Sequence, residues 1–131
     1  MSPQRRLLLD AGALVDIETE PCGETFRSCV KAFEDGYRPY LPSVVLAQVW
    51  RDRTRQYPLR MVRWLCTVLP FTEQTAEEVG ILLARSGTSD VVDAAVIVAA
   101  IEYNAAVLTS DPKDLAKLAS AAEYPVRLLT V

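Results

Sequence analysis

The sequence predicts an α/β sandwich, a parallel sheet covered by helices on both faces. Three observations point to it. Short apolar runs alternate with longer segments of helical spacing along the whole chain. One helical segment holds an unbroken apolar run from Ala94 to Ile101, which leaves no polar face for solvent and must be buried. Two of the short runs end at an aspartate, Asp10 and Asp111.

Taken in order, Ser2 and Pro3 give a lead-in, and "RLLLD" from Arg6 to Asp10 reads as a strand ending at its aspartate. "AGALVDIE" then turns into a helix. Apolar residues at Cys22, Phe26, Cys29, Val30 and Phe33 give helical spacing across 22–35, and Gly36 stops the helix. "YRPYL" is a second strand, with Pro39 indicating an edge position or a strand start. Ser43 is a candidate N-cap for a helix running through "VVLAQVWRDRTRQ". A further helix starts near Pro58 within "YPLRMVRWLCTV", and "VLPF" is a third strand interrupted by Pro70. Thr72 caps a helix over 73–87, with acids in its first half and Arg85 near its end. The apolar helix spans about Asp90 to Asn104. "AAVLTS" is a fourth strand, "DPKDLAKLASAA" a helix with Pro112 in its first turn, and "VRLLTV" a last strand.

The chain is 131 residues long, 50% hydrophobic and 24% charged, the balance of one folded domain spanning 1–131. It contains no histidine, which excludes Ser-His and Cys-His catalysis and His-ligated zinc. Bases and metal ligands therefore fall mainly to Asp and Glu. Cys22, Cys29 and Cys66 form no CxxC pair, and Cys22 and Cys29 are spaced to share a helix face; they read as buried thiols of a cytoplasmic protein. No apolar run approaches the roughly 20 residues of a membrane span.

The carboxylates are unusually placed. In an open parallel sheet, ligands bind beyond the carboxyl ends of the strands, where Asp10 and Asp111 both fall. Asp90 and Asp93 lie one turn apart on a helix, and Asp111 and Asp114 repeat that spacing. Each has a plain alternative: Asp90 and Asp111 as helix caps, Asp93 as a dipole partner, Asp10 as a turn residue. Meeting in one place they would repel, and a divalent Mg²⁺ or Mn²⁺, which prefers oxygen ligands, resolves the conflict. Such carboxylate sites catalyse displacement at phosphorus through a metal-activated water, without histidine.

Four blocks, "LLLDAGALV", "LPSVVLAQVWR", "GTSDVVDAAVIVAA" and "AAVLTSDPKDL", resemble in order and spacing those of PIN-domain ribonucleases, in particular the VapC-type toxins of toxin–antitoxin modules. The resemblance implies a three-layer α/β/α fold and Mg²⁺- or Mn²⁺-dependent RNA cleavage. It also implies a VapB-like antitoxin that blocks the site, and a homodimer. Carried onto this chain, it makes Asp10, Asp93 and Asp111 catalytic metal ligands, with Asp90 an auxiliary one and Thr109, Ser110 and Asp114 in support. Gln48 stands where the usual member has Glu; it keeps a carbonyl oxygen but cannot act as a base, and its alternative is an exposed helix residue. Two other classes are a catalytically weak PIN-like domain that only binds RNA or protein, and a receiver-like phosphoacceptor. The latter wants an Asp on the middle strand and a Lys near the last, and both are missing.

Arg51 and Arg55, four apart, are candidate phosphate contacts, with Arg53 pointing elsewhere; Lys113 is another. A solvated helix face explains the arginines as well. Trp50 and Trp64 read as core or interface residues, and Met61, Trp64 and Leu65 as either an antitoxin docking face or internal packing.

Overall fold

The computed structural model describes residues 6–131; the expected lead-in at Ser2 and Pro3 lies outside them. In chain order the elements are β1 (Leu7–Leu9), α1 (Ala11–Thr19), α2 (Glu24–Glu34), β2 (Tyr40–Pro42), α3 (Ser43–Val49), α4 (Tyr57–Leu65), β3 (Thr67–Leu69), α5 (Glu73–Ser86), α6 (Val91–Tyr103), β4 (Ala106–Thr109), α7 (Pro112–Ala122) and β5 (Leu128–Thr130). The strands form one sheet in the order β3-β2-β1-β4-β5. Every neighbouring pair is parallel.

The chain moves outward from β1 to β2 and β3, then crosses back to β4 on the other side of β1. Right-handed crossovers in opposite directions put the two sets of helices on opposite faces. Accordingly α1, α2 and α4 pack together, and so do α5, α6 and α7, while α3 touches both α1 and α6. The result is the expected α/β sandwich with a parallel central layer. Leu7, Leu8 and Leu9 are all buried, as a central strand covered on both faces requires. The apolar helix α6 lies against β1, β2 and β4. Ala94, Ala95, Ala99 and Ala100 are buried on it, and their small side chains let its backbone come close to the sheet.

Several sequence expectations shift. Pro39 does not mark an edge: β2 is an inner strand and begins just after it, the strand-start alternative. Pro70 falls beyond β3 rather than within it. Pro42, not Ser43, is the cap residue of α3, and no side chain caps that helix. Thr72 does cap α5, accepting from the Thr75 N–H at 3.1 Å. Gly36 ends α2 in a left-handed conformation (φ 87°) that favours glycine. Cys22 precedes α2 and is exposed, so it shares no helix face with Cys29; Cys29 and Cys66 are buried. Burial alone pushes the Cys29 thiol up to about 12, which leaves it protonated and inert.

The largest departure is the helix expected through residue 56. It stops at Val49, and a loop and a 3-10 turn (Thr54–Gln56) intervene before α4. The cause is Gln56, only 4% exposed. Its Oε1 accepts from the Arg51 N–H at 2.7 Å, and its Nε2 donates to the Val49 carbonyl at 2.8 Å and to Glu18 Oε1 at 3.3 Å. One side chain thus satisfies the backbone groups a continued helix would have used. Gln56→Ala leaves them unpaired and is expected to lower stability by about 2 kcal/mol, read from the denaturant midpoint. Among the described residues, no helix is long and apolar enough to cross a membrane.

Candidate active site

The sheet order reverses between β1 and β4, and the site forms there. Asp10 follows β1 directly, and its N–H donates to the Leu108 carbonyl of β4 at 3.0 Å. Its side chain is 6% exposed and fully engaged. Oδ1 accepts from the Ala11 N–H at 2.8 Å, capping α1, and Oδ2 accepts from the Thr109 hydroxyl at 2.8 Å. Thr109 is completely buried, and its Oγ1 accepts in turn from the Asp111 N–H at 3.0 Å. One hydroxyl therefore ties the end of β1 to the loop carrying Asp111. Thr109→Val keeps the shape but leaves the Asp10 oxygen and the Asp111 N–H short of a partner. The expected loss is about 2–3 kcal/mol of stability, with Thr109→Ser closer to wild type, checked by chemical denaturation.

Asp90 and Asp93 come from the head of α6. Asp90 caps that helix, accepting from the Asp93 N–H at 3.0 Å, as its plain alternative reading had it. Asp111 precedes α7 but does not cap it with its side chain. Asp93 is half-buried. Desolvation, followed by the charges of Asp90, Asp10, Asp114 and Asp111, pushes its carboxyl up to about 6. Every one of these causes raises it, and among the described residues no Arg or Lys offsets them at Asp93. Asp114 is also raised, first by its hydrogen bond with Asp111 and then by the Asp111 charge, while Lys117 opposes the shift. Carboxylates from the ends of β1 and β4 and from the heads of α6 and α7 thus share one acidic field.

The donor chemistry fits a hard divalent cation: the donors are oxygens, negative charge accumulates around Asp93, and Asp10 is held in place. The spacing is looser than a finished ligand set. Among the described residues, no three acidic or thiol side chains stand close enough together to hold a metal ion.

The other candidates divide. Ser110 lies against Gly12 beside Asp10. Gln48 is exposed on α3 and makes no side-chain hydrogen bond among the described residues, matching its plain alternative. Arg51 and Arg55 share no helix face, because α3 ends before them. Arg51 instead donates to the Trp50 carbonyl at 2.7 Å and the Ala47 carbonyl at 3.2 Å, closing the end of α3, and Arg55 sits in the 3-10 turn. Lys113 is exposed on α7, but Lys117 is the lysine that acts on the acidic group.

Two residues escaped the sequence reading. Lys117 follows Asp114 by one helical turn, a spacing that could have revealed it. Gly12 follows the Asp10 cap, and a Cβ there would clash with Ser110 Oγ and lie 2.8 Å from the Ser110 backbone nitrogen. Its only sequence signal is a glycine inside a helix start, where glycine is a poor helix former.

Fold and site define the class: a parallel α/β sandwich with an oxygen-only acidic site at its switch point. The PIN domain family model matches residues 7–121, and the chain belongs to the PIN domain family. Solved structures share the fold. A chain of the VapBC2 complex of Rickettsia felis, bound to a promoter DNA fragment, superposes with a TM-score of 0.69 at 16% identity, covering 96% of this chain and 98% of that one. A chain of DNA-bound VapBC from Salmonella typhimurium gives 0.68 at 18% identity, covering 95% and 97%. A chain of FitAcB from Neisseria gonorrhoeae gives 0.60 at 16% identity, covering 94% and 96%. No curated protein is similar enough in sequence to match.

Proposed function

We propose that this protein is a Mg²⁺- or Mn²⁺-dependent endoribonuclease, the toxin of a VapBC-like toxin–antitoxin pair working in the cytoplasm as a single-domain homodimer. The observation that carries the reading is Asp93, raised first by burial and then by the charges of four other carboxylates. Asp10, Asp93 and Asp111 would hold the ion, with Asp90 and Asp114 adding charge beside it. When bound, the ion supplies an activated water and offsets charge developing on the phosphate. The chain's own part is positional. The Ala11 N–H and the Thr109 hydroxyl fix both Asp10 oxygens, and the Thr109–Asp111 contact fixes the start of α7 against β1. Arg51, Arg55 and Lys113 are exposed and supply positive charge for RNA phosphates.

The antitoxin is assigned to α4. Tyr57 (61% exposed), Met61 (42%) and Trp64 (66%) recur at helical spacing and form an apolar ridge. Leu65, part of the face expected from sequence, is buried and belongs to the core instead.

The test is cleavage of single-stranded RNA with Mg²⁺ or Mn²⁺ against a chelator control. Wild type is expected to cut only with metal, and Asp10→Asn to lose at least ~100-fold. Equal cutting by the two proteins rejects the assignment. The neutral, exposed Gln48 favours a second reading, a domain that binds RNA or a protein without cutting. In the same assay it shows as retained RNA with no product at any metal concentration.

A further inference from the structure

A cavity of about 480 Å³ opens at the opposite end of the strands from the acidic site. Arg6 stands just before β1, Arg38 just before β2, Tyr40 and Thr67 begin β2 and β3, and Phe33 comes from the end of α2. No acidic side chain lines it among the described residues.

Both guanidiniums have structural contacts. Arg6 Nη1 donates to the Tyr103 carbonyl at 3.1 Å, at the end of α6. Arg38 Nη1 donates to the Trp64 carbonyl at 3.2 Å, at the end of α4, and its guanidinium lies 4.9 Å from the centre of the Phe33 ring. A guanidinium carries five N–H donors in a fork that suits phosphate, so these bonds leave donors on each. Among the described residues the ion pair is Lys31 with Asp35 at 3.5 Å, and neither Arg6 nor Arg38 has a carboxylate partner. Both cations line the cavity from the lead-ins of the neighbouring strands β1 and β2, and an anion bound there can accept from both. The wall also carries aromatic rings, one of them Tyr40, packed at a tilt against Tyr103 with ring centres 4.5 Å apart and so held in place. The volume lies in the range of small-molecule sites, with room for one nucleotide unit.

We propose that this cavity binds a nucleoside monophosphate unit, its phosphate between Arg6 and Arg38 and its base along the aromatic wall. The inference is independent of the nuclease reading, because the site lies at the other end of the strands and needs no metal. A free mononucleotide and the 5′ end of an RNA strand offer the same chemistry.

The experiment is calorimetric titration of the full chain, at low salt with chelator. AMP, inorganic phosphate, adenosine and a 5′-phosphorylated RNA trinucleotide are compared. AMP is expected to bind at least about 10-fold more tightly than phosphate or adenosine alone, because charge and ring both contribute. Arg6→Gln and Arg38→Lys should each weaken AMP by about 10-fold. Arg38→Lys keeps the charge but loses the fork, and Arg6→Gln removes a single exposed contact; an unchanged melting temperature shows that each variant still folds. Tighter binding of the trinucleotide than of AMP identifies an RNA end as the ligand, and the reverse identifies a free nucleotide. No heat from AMP at about 5 mM, equal binding by Arg6→Gln, or phosphate binding as tightly as AMP would each overturn the proposal.

Discussion

Gly12→Ala is expected to cost about 3 kcal/mol of stability and to abolish RNA cleavage. The added Cβ would clash with Ser110 Oγ and meet Ser110 Cβ at 2.7 Å and Ser110 N at 2.8 Å. Rotating the serine side chain relieves the first contact only. The other two involve atoms fixed to the backbone, so α1 and the loop after β4 must separate. That loop carries Thr109 and Asp111, and separation pulls the Thr109 hydroxyl away from Asp10. Pairing Gly12→Ala with Ser110→Gly removes the Oγ and Cβ contacts and leaves the nitrogen, so the double variant should regain part of the stability. Denaturant midpoints of the two single variants and the double variant test this. Additive losses would mean that the contact is not what glycine is there for.

The second large effect is at Asp93. Asp93→Asn should reduce cleavage by about 1000-fold, because it removes a carboxylate from the middle of the acidic field. In metal-free buffer at pH 7.5 the same change should raise the melting temperature. Asp93 has its carboxyl raised from 3.8 to about 6 in the folded protein, by burial first and neighbouring carboxylates second. Between those values the folded state holds a proton that the unfolded state has lost, so this group's contribution falls as pH rises through the window. Below about pH 4 both states are protonated and the penalty vanishes; above about pH 6 it is fully present. Because Asp93 is only half-buried, solvent reduces the penalty to the order of 1 kcal/mol. The gain from Asn should therefore appear at pH 7.5 and be absent at pH 4, and Mg²⁺ should shrink it by stabilising wild type alone. Equal melting temperatures at both pH values in chelator would mean that the acidic field does not burden the fold.

Asp93 and Gly12 differ in how much of their role is local in sequence. Asp93 was visible in the sequence because a carboxylate set against the unbroken run Ala94–Ile101 is an anomaly on its own. Gly12 was not, since its partner Ser110 lies far along the chain and only the adjacency of β1 and β4 brings them together. Gln56 was hidden for a similar reason. It reads as one more polar residue of a helix, and its burial depends on Glu18 and Val49 closing around it. Helical spacing puts Arg51 and Arg55 on one face, but Gln56 ends that helix at Val49.

The alternation of apolar runs with helical spacing fixed the fold class, because burying those runs leaves few arrangements other than a covered parallel sheet. Chain chemistry also fixed the oxygen-only character of the site, since a protein without histidine has carboxylates to use. Strand order was decided in three dimensions, and with it which aspartates act on one another. Parallel pairing, buried hydrogen bonds and steric contact act between residues distant in sequence, and no local pattern of residues encodes those contacts.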